Sequence, residues 1–245
     1  MKCLVLAAGY AMRLYPLTQN YPKPLLLVKD KTILDWLIDD IDSLDELSEF
    51  VIISNHKYYN HFLEWAKTKT VNISIIDDGT ATNDTRLGAV KDIQFAIKQK
   101  NINDDVLIIA GDNVLDFSLK QFINYSKTKK TSCVMRYYEP SLEKLKKCGV
   151  LTVNKDDLIT DMTEKPLIPA TNWCCPPFYY ITKDDLTLID ICIVKGCGVD
   201  APGSFIAWLC KQTHIHAMEM PGKRYDIGNL ESYEKVQKEY KGIIR

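Results

Sequence analysis

Short apolar runs alternate with longer amphipathic segments over the first 110 residues of the chain. Runs of strand length stand at Cys3–Ala8, Phe50–Ser54, Ile73–Ile76 and Val106–Ala110. Between them, apolar side chains recur at helical spacing over residues 33–47, 57–68 and 87–97, and Thr32 with Asp35 has the spacing of a capping box. Because parallel strands need long crossover connections, this β-α-β order predicts a parallel sheet covered by helices on both faces.

After about residue 130 the pattern changes to strands with fewer intervening helices. Strands are predicted within residues 131–139, 149–154, 158–164 and 173–182, and helices over residues 184–193, 204–211 and 231–241. We find no internal repeat, low-complexity tract or linker. The pattern therefore predicts one α/β domain over residues 1–245, with a mixed sheet in its second half.

Composition narrows the partners this chain can have. Its 31 Lys and Arg residues nearly balance 32 Asp and Glu residues, so no global field attracts nucleic acid or an anionic membrane surface. No apolar stretch approaches the roughly 18 residues of a membrane span. The eight cysteines form no C-x-x-C pair, and four histidines show no metal-ligand spacing. We expect buried free thiols and a cytoplasmic location, with anionic ligands captured locally.

One segment directly behind the first apolar run concentrates glycine, proline and two cations. In LAAGYAMRLYPLTQNYPKPLL, Gly9 lets a ligand approach the backbone, and Arg13 and Lys23 could neutralise phosphate oxygens. Three prolines would lower the entropy cost of holding those cations in place. An ordinary strand-to-helix turn with solvated cations is the alternative interpretation.

The order of residues in this segment resembles the signature of a known enzyme family. The usual form is A-A-G-x-G-(Thr or Ser)-R-(Leu or Met)-x-P, followed by P-K-P, in the nucleotidylyltransferases that join a nucleoside triphosphate to a sugar 1-phosphate. Two positions depart from it. Ala11 replaces the second glycine and is expected to fit if its φ is negative. Met12 replaces a hydroxyl residue and cannot usefully hydrogen-bond a phosphate.

This resemblance implies both a fold and an activity. The fold would be a Rossmann-like three-layer α/β/α arrangement with a mixed, mainly parallel central sheet, of the nucleotide-diphospho-sugar transferase type. Residues 1–130 would form the nucleotide-binding part and residues 131–245 the acceptor-binding part of a single domain. The activity would be that of a nucleotidyltransferase in nucleotide sugar biosynthesis, releasing pyrophosphate, with Arg13 and Lys23 as catalytic cations.

Two aspartates resemble the metal ligands of that family. Asp112 follows a buried strand within G-D-N, and Asp226 stands in D-I-G before a helix. The resemblance implies that both hold Mg²⁺, which prefers carboxylate and phosphate oxygens. Taken alone, Asp112 could be a turn residue bonded to its own backbone, and Asp226 could cap the following helix.

The remaining site residues also come from the resemblance. It implies nucleotide contacts for Ala8, Gly9, Arg13, Lys23, Gly88 and Asp112, with Gly88 near the base. It implies acceptor contacts for Gly149, Glu164, Lys165 and Asn172. On their own, Glu164 and Lys165 would be a solvated surface pair.

Three functions remain open at this point. The first transfers a nucleotidyl group to a sugar 1-phosphate; the second is a cytidylyltransferase that acts on a non-sugar phosphate or phosphonate. The third is a non-catalytic nucleotide-binding protein, suggested by Met12. The expected partners are a nucleoside triphosphate and a small phosphorylated acceptor, with no nucleic acid or membrane, and a homo-oligomer by analogy. The sequence does not choose among UTP, dTTP and CTP.

Overall fold

The computed structural model describes residues 1–244 of the chain, and Arg245 lies outside the described residues. The strands, in chain order, are β1 (Lys2–Leu6), β2 (Leu27–Val28), β3 (Lys31–Thr32), β4 (Glu49–Ser54), β5 (Ile73–Asp77), β6 (Val106–Ala110), β7 (Asn113–Leu115), β8 (Ser132–Tyr138), β9 (Gly149–Val153), β10 (Ile159–Glu164), β11 (Trp173–Cys175), β12 (Phe178–Ile181), β13 (Ile215–Glu219) and β14 (Arg224–Asp226). The helices are α1 (Ile33–Ile41), α2 (Tyr59–Ala66), α3 (Ala89–Gln99), α4 (Lys120–Lys129), α5 (Leu142–Leu145), α6 (Lys183–Leu186), α7 (Ile189–Val194), α8 (Gly203–Leu209) and α9 (Leu230–Glu239).

Contacts divide the chain into two compact units. The first unit holds Met1–Arg86, Ile109–Gln121 and the residues from Pro221 onward. The second unit holds Leu87–Ile108 and Phe122–Met220. The interpretation of residues 1–245 as a single domain, with a nucleotide part and an acceptor part, stays a prediction. Within residues 1–244, no helix combines the length and the apolar composition needed to cross a membrane.

The sheet of the first unit aligns the ends of three strands. Strand β1 pairs parallel with β4, and β4 pairs parallel with β5. Strand β4 is buried along its whole length, as expected for a parallel strand covered on both faces. The backbone N–H of Gly111 donates to the carbonyl of Leu6 at 3.0 Å. The residues after β6 therefore lie beside the carboxyl end of β1, where ligands of open α/β sheets bind.

Helix α1 begins as the sequence predicts and ends earlier. Thr32 and Asp35 form the reciprocal capping box. The helix ends at Ile41 instead of continuing to residue 47, and Asp42 is its C-cap residue. Residues 42–48 are rich in Asp and Ser, whose short polar side chains compete with the helix for backbone hydrogen bonds. A helical stripe of apolar residues alone therefore overestimates the length of this helix.

A strand and a helix from the far end of the sequence complete the first unit. Strand β14 pairs antiparallel with β7, and the register places Asp226 opposite Asn113. Behind this pair lies a buried apolar cluster that draws on all three segments of the unit and contains Leu14, Leu26, Val28, Ile33, Val114, Ile227, Val236 and Tyr240. Burial of these side chains fixes the segment around Asp226 against the residues that follow β6.

The second unit is built around a largely antiparallel sheet. Its strands follow the order β10-β9-β11-β8-β12, and β13 pairs parallel with β8. Residues 173–182, predicted as one strand, form two strands: β11 pairs with Tyr137 and Tyr138 of β8, and β12 pairs with Cys133 and Val134. Pro176 and Pro177 separate them, because proline has no N–H to donate to a ladder. The register places Gly149 of β9 opposite Glu164 on one side and Cys175 on the other.

The expectation of free thiols is wrong for two of the eight cysteines. Cys148 and Cys174 form a disulfide, while the other six cysteines are free. Strands β9 and β11 are antiparallel neighbours, and this brings the two Cα atoms to 6.2 Å, within the range that a disulfide spans. A separation of 26 residues carries no local signature, so the sequence alone does not indicate this pair.

Alkylation of the denatured, unreduced protein is expected to modify the six free cysteines and spare Cys148 and Cys174. Reduction before alkylation should expose both of these thiols, because the bond between them is then broken. Mass spectrometry of the digested protein gives the measurement, and Cys148→Ser is the matched variant, in which Cys174 should react without reductant. Full modification of all eight residues in the unreduced wild-type protein would contradict the pairing.

Candidate functional site

The loop after β1 presents an open backbone at Gly9. A Cβ atom built on Gly9 would meet no heavy atom within 4 Å, so a ligand could approach this backbone closely. Ala8 is buried, and its carbonyl accepts a hydrogen bond from Asn55 Nδ2 at 2.8 Å. Thr18 Oγ1 donates to the carbonyl of Ala11 at 2.8 Å and fixes the far side of the loop. The loop is therefore held in place while its surface at Gly9 stays accessible.

Ala11 does not meet the condition under which alanine replaces glycine without cost. Its φ is 47° and its ψ is 40°, in the left-handed region that favours glycine. For an alanine this conformation costs about 1–2 kcal/mol, because Cβ crowds the following carbonyl. The neighbouring Met12 begins a short 3₁₀ turn, and its side chain is 52% exposed.

Substitution Ala11→Gly is expected to raise the free energy of unfolding by about 0.5–1 kcal/mol, since strain relief exceeds the added entropy of the unfolded chain. Urea denaturation followed by circular dichroism measures the effect. The matched control is Ala96→Gly inside α3, where φ is not positive. That control should destabilise the protein by about 1 kcal/mol. Equal destabilisation by both substitutions would contradict the strain at Ala11.

Arg13 presents an exposed guanidinium group beside the segment that carries Asp226. A Cβ atom built on Gly228 would lie 3.7 Å from Arg13 Nη2, so the two segments touch. No ion pair or side-chain hydrogen bond of Arg13 occurs in the described part of the chain. This cation is therefore available to an anion from solvent.

Lys23 and Asp112 form an ion pair in the first unit. Lys23 Nζ lies 2.8 Å from Asp112 Oδ2, and the lysine side chain is only 10% exposed. Lys23 comes from a short 3₁₀ turn that begins after Pro22, and Asp112 comes from the residues behind β6. Burial would raise the pKa of Asp112, but the charge and hydrogen bond of Lys23, with the charge of Arg224, lower it below its usual value. Asp112 is therefore a carboxylate near neutral pH.

The structure brings Asp226 next to Asp112, although more than a hundred residues separate them in the sequence. Asp226 lies opposite Asn113, and the N–H of Ile227 donates to the carbonyl of Asp112 at 3.2 Å. The alternative role of Asp226 as a helix cap is wrong, because the side chain of Asn229 caps α9. The carboxylate of Asp226 is half-exposed and lies 3.7 Å from Arg224 Nη1.

Two residues of this cluster are absent from the sequence-based interpretation. Arg224 Nη1 donates to Asn113 Oδ1 at 2.7 Å, and Asn113 Nδ2 donates to Asp112 Oδ1 at 2.5 Å. A signal for Arg224 was present, since residues two apart on a strand share a face and Arg224 precedes Asp226 by two. Nothing in the sequence indicates that Asn113, on the paired strand β7, is the hydrogen-bond partner of Arg224.

In the second unit, Glu164 lies where two glycines leave room for its carboxylate. A Cβ atom built on Gly149 would lie 2.8 Å from Glu164 Oε2, and one built on Gly203 would collide with the same oxygen. Burial raises the pKa of Glu164 above its ordinary value, and the nearby charge of Lys165 only partly offsets this. Glu164 is thus a partly desolvated carboxyl group and not a solvated surface residue.

Substitution Glu164→Gln is expected to stabilise the protein more at pH 8 than at pH 4. A carboxyl group with a raised folded-state pKa contributes its full stability below its unfolded pKa of about 4.5 and loses it as the pH rises. Glutamine has no such loss, so the difference in free energy of unfolding should shift in its favour with rising pH. Urea titrations at both pH values measure it. The exposed Glu143→Gln is the control, and a flat difference for Glu164→Gln would contradict the burial.

The other predicted acceptor residues of the second unit are each held by protein contacts. Lys165 has a positive φ of 49°, its N–H donates to the carbonyl of Cys148 at 3.1 Å, and its Nζ lies 3.9 Å from Asp200 Oδ2. Asn172 Nδ2 donates to the carbonyl of Glu139 at 2.9 Å. Their roles toward an acceptor stay predictions.

Gly88, the predicted base contact, caps the N-terminus of α3 with a φ of 91°. A Cβ atom there would lie 2.5 Å from the carbonyl oxygen of Val199. Glycine is therefore required at this position by the backbone of the second unit itself, and a role toward the base stays a prediction.

The chain is similar in sequence to a known protein family and to individual known proteins. The sequence model of the family described as Nucleotidyl transferase matches residues 2–242. The chain is 26% identical over 257 residues to the bifunctional protein GlmU of Methanocaldococcus jannaschii, covering 100% of this chain and 57% of that protein. It is 24% identical over 243 residues to the UTP–glucose-1-phosphate uridylyltransferase AglF of Haloferax volcanii, covering 97% and 95%.

A solved structure confirms the predicted fold class. The crystal structure of a UDP-glucose pyrophosphorylase complexed with UDP-glucose superimposes with a TM-score of 0.79 at 20% identity, covering 96% of each chain. The α/β class with a mixed, mainly parallel sheet is therefore confirmed. The chain spans only 63%, 57% and 51% of the length of three of the curated relatives that it matches.

Proposed function

The chain belongs to the nucleotidyl transferase family, and we propose that it transfers a nucleotidyl group from a nucleoside triphosphate to a sugar 1-phosphate, releasing pyrophosphate. Membership confirms the resemblance that the motifs of residues 6–26 indicate. The observation that carries the proposed activity is the cluster in the first unit. There, Lys23 pairs with Asp112 at 2.8 Å, and Asp226 lies opposite the residue after Asp112.

The loop of the first unit would bind the triphosphate. Backbone N–H groups around Ala8 and Gly9 are donors for phosphate oxygens, and the open face at Gly9 allows close approach. Arg13, whose guanidinium has no protein partner in the described chain, would bind the phosphates that leave as pyrophosphate. Lys23 would neutralise charge on the transferring group. Positioning and charge neutralisation supply most of the rate in phosphoryl chemistry, so these cations are the catalytic residues.

Asp112 and Asp226 would hold Mg²⁺. Two carboxylates, one directly before β7 and one on the paired strand β14, are a donor set that this ion accepts when substrate phosphates and water complete its shell. No cluster of three or more His, Cys, Asp or Glu side chains that could hold a metal occurs within residues 1–244. When bound, Mg²⁺ neutralises charge on phosphate oxygens and orients them.

The acceptor would contact residues of the second unit. Glu164, with its raised pKa and its place against Gly149, can accept hydrogen bonds from hydroxyl groups of a sugar. Lys165 can pair with the phosphate of the acceptor. To do so, its ammonium group would leave the 3.9 Å contact with Asp200. Asn172 and the backbone at Gly149 complete the proposed acceptor residues. Gly88 stays the proposed neighbour of the base.

Two other functions remain as alternatives. A cytidylyltransferase for a non-sugar phosphate or phosphonate would keep the first unit unchanged and differ at the acceptor-binding residues of the second unit. A non-catalytic nucleotide-binding protein is suggested by the exposed Met12. The ion pair between Lys23 and Asp112 argues against the latter, since a chain without catalysis need not retain it.

A substrate panel tests the proposal. The 245-residue chain is incubated with Mg²⁺ and each nucleoside triphosphate, in combination with sugar 1-phosphates, phosphorylated alcohols and phosphonates, and pyrophosphate release is measured. Release with a sugar 1-phosphate supports the proposed reaction, and release only with a non-sugar acceptor supports the second function. Nucleotide binding without pyrophosphate release from any pair would support the third.

A further inference from the structure

Two cations already neutralise the two carboxylates of the first unit. Lys23 Nζ lies 2.8 Å from Asp112 Oδ2, and Arg224 Nη1 lies 3.7 Å from Asp226 Oδ2. Each aspartate thus has its own basic partner, and the formal charges of these four residues, here called the charge cluster, cancel. A divalent cation that entered alone would meet two positive charges at a site without net negative charge.

Arg224 also orders the cluster. Its Nη1 donates to Asn113 Oδ1 at 2.7 Å, and Asn113 is 1% exposed. The amide nitrogen of Asn113 in turn donates to Asp112 Oδ1. Because Arg224 and Asp226 share one face of β14, a single guanidinium group contacts one carboxylate directly and orients the other through Asn113.

We propose that Lys23 and Arg224 exclude a divalent cation from the free protein, so that the ion enters together with the triphosphate, and that Arg224 is a positioning residue for both aspartates. This inference rests on the proposed function, since it uses the same site. It adds the order in which the triphosphate and the divalent cation bind. It also assigns a role to Arg224, a residue that the motifs do not indicate.

This order of binding follows from the acceptors that Lys23 has before and after the triphosphate binds. A triphosphate brings several negative charges, and its oxygens are alternative acceptors for the ammonium group of Lys23. Once Lys23 turns to a phosphate, Asp112 Oδ2 is released for the ion. Arg224 stays in place, because its bond to the buried Asn113 is independent of substrate. The free protein therefore lacks a ready cation site, and the complex with triphosphate has one.

Binding of Mn²⁺ tests this order without any turnover. Inorganic tripolyphosphate serves as the probe because it carries the charge of the nucleotide and needs no choice of base. Enhancement of water-proton relaxation reports Mn²⁺ on the slowly tumbling protein and separates it from Mn²⁺ bound to tripolyphosphate alone. We expect weak binding to the free chain, and binding at least about tenfold tighter when tripolyphosphate is present.

Variants separate the two roles of Arg224. In Arg224→Met, the free protein should bind Mn²⁺ about tenfold more tightly, because one counter-cation is lost. Its ternary complex should bind Mn²⁺ more weakly than wild type, because the aspartates are no longer positioned. Arg224→Lys should restore the weak binding of the free protein and only part of the ternary affinity. A residue that only supported the fold would not give opposite shifts.

Lys223→Met is the matched control. It removes the same charge one position away, but Lys223 is exposed and pairs with Glu239 at 3.2 Å, so neither affinity should change. Lys23 lies on a different segment of the chain, so Lys23→Met is a second test of the exclusion of the cation. It replaces Arg224→Met if that variant does not fold. It too should tighten Mn²⁺ binding to the free protein.

Three results would overturn the inference: tight Mn²⁺ binding to the free wild-type protein, no gain with tripolyphosphate, or unchanged free-protein affinity in Arg224→Met or Lys23→Met. None of them depends on pyrophosphate release. Failure of the proposed function would instead appear as a lack of turnover in the substrate panel, so the two failures are distinguishable.

Discussion

Substitution Lys23→Met is expected to lower the rate of pyrophosphate release by about a hundredfold to a thousandfold, the range found when one preorganised donor to a developing charge is removed. The lysine is almost fully buried and is held 2.8 Å from Asp112, so its ammonium group has a fixed position next to this carboxylate. Methionine keeps the length and apolar stem of the side chain. Steady-state kinetics with the best substrate pair from the panel measures the loss.

A second lysine provides the control for this substitution. Lys67→Met removes an exposed lysine that pairs with Glu64, and it should leave turnover unchanged. Circular dichroism and urea titration test whether Lys23→Met is folded, which matters because Asp112 then loses its ion-pair partner. The prediction fails if a folded Lys23→Met protein turns over within a factor of about three of wild type. Each tenfold change in rate corresponds to about 1.36 kcal/mol, so such a small loss would remove Lys23 from the catalytic residues.

Substitution Asp112→Asn is expected to lower turnover by about two orders of magnitude and to raise the Mg²⁺ concentration needed for half-maximal rate. Asparagine keeps the shape of the side chain but removes the charge that attracts the ion. It also releases Lys23 from its ion pair. A titration of the rate with Mg²⁺ at saturating substrates separates the two effects, because a poorer ion site can be partly filled at high Mg²⁺.

The control for this prediction is Asp39→Asn. Asp39 is an exposed aspartate that pairs with Lys31 at 2.7 Å and is not part of the charge cluster. Its substitution should change neither the rate nor the Mg²⁺ dependence. If Asp112→Asn also showed an unchanged Mg²⁺ dependence, the assignment of Asp112 as a ligand would fail even with a reduced rate.

The parallel strands of this protein could be predicted from the sequence almost to the residue. The run Val106–Ala110 is the strand β6 that the structure contains, and Phe50–Ser54 misses β4 by one residue. Such strands are buried on both faces, so most positions along them are apolar and the signal is dense. The end of α1 and the break between β11 and β12 depend on polar competition and missing N–H groups. Apolar periodicity does not record either effect.

The site could be predicted less completely, for a different reason. The motifs identify Lys23, Asp112 and Asp226, but not that the first two form an ion pair. Contacts of Arg224 and Asn113 arise from the register of β14 against β7, which joins residues far apart in the sequence. The positive φ of Ala11 likewise follows from the surrounding loop and not from the identity of the residue. Long-range pairing and backbone conformation are the information that a single sequence lacks.

The first unit takes its residues from three separate stretches of the chain, and this affects how the protein is made. During synthesis, Lys23 and Asp112 leave the ribosome well before Asp226 and the buried Ile227, Val236 and Tyr240. At about 5–20 residues per second, the delay is on the order of ten seconds. For that interval the apolar surface that β14 and α9 later cover is exposed to solvent. Exposed apolar surface of this kind favours aggregation, and the charge cluster cannot form before Asp226 has been synthesised.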